Sequence, residues 1–98
     1  KTILEVPGET GELQLLQNKP NPFENQTRIE FTLPEASMGK ITITNTYGET
    51  VATFNGKFSA GLNYVDVNAE QMKLVPGVYY YTLEINGRKV TRKMVLLK

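Results

Sequence analysis

Apolar and polar residues alternate with a period of two through most of the chain. Ile29, Phe31 and Leu33 take every second place in Arg28-Ile29-Glu30-Phe31-Thr32-Leu33, and Ile41 and Ile43 do so in Lys40-Ile41-Thr42-Ile43-Thr44. Val65 and Val67 share a face in Asn63-Tyr64-Val65-Asp66-Val67, and Tyr79, Tyr81, Leu83 and Ile85 share one in the longest run. Successive side chains of a strand point to opposite faces, so this spacing predicts half-buried β-strands. Turn residues separate the runs: Pro34 to Gly39, Tyr47-Gly48-Glu49, Asn55-Gly56, Ser59-Ala60-Gly61, Pro76-Gly77 and Asn86-Gly87. Both Asn-Gly dipeptides read as tight two-residue turns, because both positions accept positive φ. Only residues 68–74 suit a helical turn, with Asn68 as its cap. Leu13, Leu15 and Leu16 precede a break at Asn18-Lys19-Pro20-Asn21-Pro22, where two prolines fix φ and predict a stiff, extended entry. About seven strands at regular spacing predict an all-β fold, an antiparallel β-sandwich of immunoglobulin-like type. An open barrel is the alternative.

The first twelve residues differ from the rest. Ile3-Leu4-Glu5-Val6 suits a short strand, and Pro7-Gly8-Glu9-Thr10-Gly11-Glu12 reads as a linker, with Pro7, Gly8 and Gly11 breaking any regular element. The expected organisation is a linker over 1–12, leading from an upstream domain, and one folded domain over 13–98. The chain opens at Lys1 without a methionine, which suggests a piece cut from something longer.

Composition narrows the chemistry. The 98 residues contain no Cys, His or Trp. That leaves no disulfide framework, no Cys/His zinc site and no Ser-His or Cys-His nucleophile. Lys+Arg 11 against Asp+Glu 10 is too balanced for a nucleic-acid binder. The carboxylates stand singly, and Glu30 and Glu84 fall on polar strand faces, so no facing pair suits glycoside hydrolysis. The glycines are isolated at turns and form no phosphate cradle. No calcium loop is present. The sequence therefore predicts a non-enzymatic domain with no cofactor, no metal and no small-molecule substrate.

Two segments carry recognition potential. In Tyr79-Tyr80-Tyr81 only Tyr79 and Tyr81 share a face, in line with Leu83 and Ile85, which favours core packing over sugar stacking. At the C-terminus, Arg88, Lys89, Arg92, Lys93 and Lys98 gather five basic residues with no acid. Within them Met94, Val95, Leu96 and Leu97 place two apolar side chains on each face of a strand. One face suits the core. The other is covered by the N-terminal segment or a loop, or else the strand is held ready for a partner through its edge or its carboxylate. A homodimer through an exposed strand edge is a further expectation.

Three local patterns then fall in one order. Asn18-Lys19-Pro20-Asn21-Pro22-Phe23 with Thr27 to Pro34 opens the domain, Asn45-Thr46-Tyr47-Gly48-Glu49-Thr50-Val51 lies in the middle, and Leu74-Val75-Pro76-Gly77-Val78-Tyr79 with Lys93-Met94-Val95-Leu96-Leu97-Lys98 closes it. Together they resemble the type A C-terminal sorting domain of type IX secretion cargo in Bacteroidota. Thr46 and Tyr47 stand where that family commonly has aliphatic residues. The resemblance implies a seven-stranded Ig-like sandwich at the end of a secreted protein. It implies recognition by the type IX translocon and its shuttle proteins, passage through the periplasm, and arrival at the cell surface or outside. It also implies removal by a sortase-type cysteine protease within the linker, near Pro7, Gly8 and Gly11. Lys93 to Lys98 are the expected recognition residues, and Pro20, Asn21, Pro22, Phe23, Gly48, Gly77 and Tyr79 the family-motif positions. The competing expectation is a passive Ig-like spacer or carbohydrate-binding module of a secreted hydrolase, which the absence of Trp disfavours.

Overall fold

The computed structural model describes residues 13–97. Residues 1–12, with the expected strand at Ile3 to Val6 and the linker positions Pro7, Gly8 and Gly11, lie outside the described residues, as does Lys98. Seven strands follow in the described residues: β1 (Gln14–Leu15), β2 (Gln26–Leu33), β3 (Ser37–Thr44), β4 (Thr50–Phe58), β5 (Gly61–Asn68), β6 (Gly77–Ile85) and β7 (Arg88–Leu96). They form two sheets, β1-β2-β5 and β4-β3-β6-β7, and every pairing is antiparallel. The fold is thus the β-sandwich expected from the alternation, with two separate sheets rather than a barrel.

The period-two pattern sets the inside. Ile29, Phe31 and Leu33 of β2, Ile41 and Ile43 of β3, and Tyr79, Tyr81, Leu83 and Ile85 of β6 are all buried, together with Met94 and Leu96 of β7. Phe58 of β4 meets Phe31 edge-on at 5.0 Å between ring centroids, which joins the two sheets. Gly39 makes this possible, since a β-carbon there would lie 2.3 Å from the Ile85 Cδ1 and 3.1 Å from the Phe58 ring.

Local turn chemistry is obeyed in most places. Asn45 Oδ1 accepts from the backbone N–H of Tyr47 and Glu49, closing the β3–β4 hairpin. Asn86 and Gly87 both take positive φ, 50° and 82°, in the two-residue β6–β7 turn. Asn68 caps the one helical turn, its Oδ1 accepting from Gln71 N–H at 2.8 Å.

Two expectations are corrected. Asn55-Gly56 is not a turn: both residues lie inside β4, opposite Lys40 and Gly39 of β3. The long β3 ladder overrides the local preference, and the chain turns instead at Ser59-Ala60, where Asn63 bonds Ser59 through both Oδ1 and Nδ2. Pro20 and Pro22 do not make an extended entry. Their preceding peptide bonds are cis, and the chain bends sharply from Pro20 to Pro22.

Candidate functional site

The register places the strand ends so that sequence-distant segments meet. Gln26 pairs with Asn68, Thr44 with both Thr50 and Tyr80, and Gly77 with Leu96. One pole of the sandwich therefore collects the entry loop 18–25, the β3–β4 turn, the β5–β6 loop and the exit of β7. The motif positions Pro20, Asn21, Pro22, Phe23, Gly48, Gly77 and Tyr79 all lie at this pole. The opposite pole holds the β2–β3, β4–β5 and β6–β7 turns, and Leu13 lies there beside Pro34, Ile85, Asn86 and Arg88.

Each motif residue has a concrete local task. Tyr79 is buried, and its hydroxyl donates to Val75 O at 2.6 Å and accepts from Val75 N–H at 3.0 Å. This pins the β5–β6 loop. Gly77, with φ 150°, re-aims the chain from that loop into β6, a backbone setting L residues rarely adopt. Phe23 is buried, and its backbone clips the end of β7: Phe23 N–H donates to Val95 O at 3.0 Å, and Leu97 N–H donates to Phe23 O at 2.8 Å. Asn21 Oδ1 accepts from Val95 N–H at 3.0 Å. Gln17 Nε2 donates to Lys93 O at 2.8 Å, and Arg92 Nε donates to Leu15 O.

The end of β7 thus has its outer backbone edge sealed by residues 15–23. The expected cover of the second apolar face is not formed, since Leu97 stays exposed there; the N-terminal segment lies along the edge instead. Met94 and Leu96 point into the core, whereas Lys93, Val95 and Leu97 point outward. Lys93 lies opposite Tyr80 and Val95 opposite Val78. Tyr80 is 38% exposed and Leu97 54% exposed. Leu97 also borders a shallow open depression with Pro20, Pro22 and Glu24.

Behind the clip sits a polar network that the sequence pattern does not reveal. Asn18 is 1% exposed. Its Nδ2 donates to Thr27 Oγ1 at 3.0 Å and to Pro20 O at 3.2 Å, and Thr27 Oγ1 donates to Pro20 O at 2.8 Å. The Tyr81 hydroxyl donates to Leu16 O at 2.7 Å and accepts from Asn18 N–H at 2.8 Å. Burial pushes the Tyr81 phenol above its usual range, against the opposing pull of the Asn18 N–H and the Arg92 charge. The available signal was a Tyr on a core-facing position, since a buried Tyr hydroxyl needs a partner.

The β4 and β5 edges lie on the side of the sandwich away from β1 and β7. On the outer face of this sheet, Arg28 of β2 stacks over Tyr64 of β5 at 3.8 Å and pairs with Asp66 at 2.8 Å. Asp66 is held below the usual carboxylate range, chiefly by its hydrogen bond from Arg28. Among the described residues no cluster of acidic side chains could hold a metal ion, and no helix is long and apolar enough to cross a membrane.

A family model described as the secretion system C-terminal sorting domain matches residues 20–97. Among solved structures, the chain is similar to CopC from Methylosinus trichosporium OB3b, with a TM-score of 0.50 and 13% identity over 88% of this chain and 94% of that one. At that identity the likeness shows the fold alone. No curated protein matches.

Proposed function

Because this chain belongs to the secretion system C-terminal sorting domain family, a sorting signal for type IX export, we propose that its motif-bearing pole is the surface read by the secretion machinery. Such a domain marks a secreted protein for passage through the periplasm to the cell surface or beyond. The observation that carries the reading is convergence: segments up to 76 residues apart in sequence meet where β7 ends, and the family match covers those segments from Pro20 to Leu97. Lys93, Met94, Val95, Leu96, Leu97 and Lys98 form the recognition segment. Met94 and Leu96 hold it to the core, and Lys93, Val95 and Leu97 present it. Translocon and shuttle proteins are the partners. A sortase-type cysteine protease removes the domain by cutting near Pro7, Gly8 and Gly11.

The domain itself makes and breaks no bond, in keeping with its isolated carboxylates and lack of His and Cys. The test is a fusion of residues 13–98 to an unrelated exported protein in a type IX-competent host. The fusion reaches the surface or medium, and deleting 93–98 traps it in the periplasm. Unimpaired secretion after that deletion refutes the assignment. A spacer role has no observation in its favour, and of the exposed tyrosines Tyr47, Tyr64 and Tyr80, the one on β5 is already covered by Arg28.

A further inference from the structure

We propose that the reader docks on the outward side chains of β7 and β6 at this pole, not by adding a strand to β7, and that it is a protein presenting an apolar surface rimmed by carboxylates. This rests on the pole being the recognised surface. Strand addition needs a row of free N–H and C=O groups. At the end of β7, within this pole, that row is taken: Lys93 O by Gln17, Val95 N–H by Asn21, and Val95 O and Leu97 N–H by Phe23. An incoming strand would have to expel a loop anchored by the buried Asn18–Thr27 network. The inward residues Met94 and Leu96 are out of reach while the sandwich is closed.

What remains readable is a face. Val95, Val78, Tyr80 and Leu97 form its apolar part, continued by Val75, which is 67% exposed on the adjoining loop. Contiguous exposed apolar side chains beside charge mark contact surfaces. Lys93 adjoins Tyr80, and Lys89 lies farther along the same outward row. Neither lysine makes an ion pair among the described residues. One acid on that face, Glu84, sits 3.9 Å from Lys40. At the pole itself Glu24 borders the depression beside Leu97, and farther along the row Lys89 and Lys40 outnumber Glu84; with Lys93, three lysines against two glutamates leave the face positive, and charge complementarity assigns carboxylates to the partner.

The experiment uses the secreted fusion with Lys93→Glu, Leu97→Asp, Lys93→Arg and the 93–98 deletion, read as the ratio of periplasmic to secreted material. Lys93 and Leu97 are exposed, so both disruptive variants should melt like the parent, which serves as the folding check. The proposal expects that ratio to rise roughly tenfold or more for Lys93→Glu, the scale of losing one well-placed charge contact. Leu97→Asp should do the same, and Lys93→Arg should secrete normally. A block by the deletion with normal secretion of both point variants overturns side-chain docking alone. Normal secretion of the deletion overturns the underlying reading as well. Sedimentation of the purified chain with phosphatidylglycerol vesicles, lost on Lys93→Glu, would replace the protein partner with an anionic lipid surface and overturn the proposal.

Discussion

Replacing Tyr81 by phenylalanine removes one oxygen and leaves the ring in place. That oxygen serves two backbone groups, accepting from Asn18 N–H at 2.8 Å and donating to Leu16 O at 2.7 Å. Asn18 is buried, so its N–H is left without a partner, whereas half-buried Leu16 can turn its carbonyl to water. An orphaned buried polar group costs about 1–3 kcal/mol, and with one group orphaned and one rehydrated we place the loss near 2 kcal/mol. For a domain of this size each kcal/mol moves the melting temperature by about 4–8 °C, so Tyr81→Phe should melt roughly 8–16 °C lower. Calorimetry checks the size, and amide exchange checks the location. Because the affected segment clips β7, the amides of Val95 and Leu97 should lose protection beyond the global change, while those of Ile41 and Ile43 follow it. The pH dependence gives a second reading. Burial raises the Tyr81 phenol above 10.0, so its contribution is intact below pH 10 and fades as the solution becomes more alkaline. Tyr81→Phe should narrow its gap to the parent there. A melting shift under about 3 °C, well short of the estimate above, would refute the role given to this hydroxyl.

Other substitutions separate the tasks of the pole. Leu96→Ala empties a fully buried site beneath the clip and should cost about 2–5 kcal/mol in urea unfolding; a loss below about 1 kcal/mol would mean the site collapses without consequence. Gly77→Ala places a β-carbon in open space but at φ 150°, so its cost, about 1–3 kcal/mol by the same assay, is backbone strain alone. Asp66→Asn breaks an exposed pair with Arg28 and should scarcely change thermal stability at neutral pH. Asp66 titrates below its usual 3.8, so the small deficit of the variant should vanish as acid protonates the parent. A deficit that grows in acid would contradict the pairing.

The alternation of β2, β3 and β6 was readable because each buries one face, and period two has no other efficient solution there. Asn55-Gly56 misled for a physical reason: a turn dipeptide states only what the backbone can do, and pairing with Lys40 and Gly39 demanded otherwise. The prolines announced a rigid entry but not its bend. Lys93 to Leu97 stood out by composition, yet which of them face outward depended on register with β6. The clip by Asn21 and Phe23, and the network of Asn18, Thr27 and Tyr81, were beyond reach. Apart from the local Asn18–Thr27 bond, they join residues 63–74 positions apart through backbone groups, which carry no sequence signature.

Leu13 and Leu97 leave the molecule from opposite extremes, separated by strands of eight or nine residues. At about 3.3 Å per residue that is roughly 30 Å, the width of a small globular protein. A passenger tethered ahead of Leu13 therefore starts, like ballast, from the end farthest from the proposed docking surface. That separation, which suits a tag serving passengers of many shapes, follows from the odd number of strand traverses between the two exits.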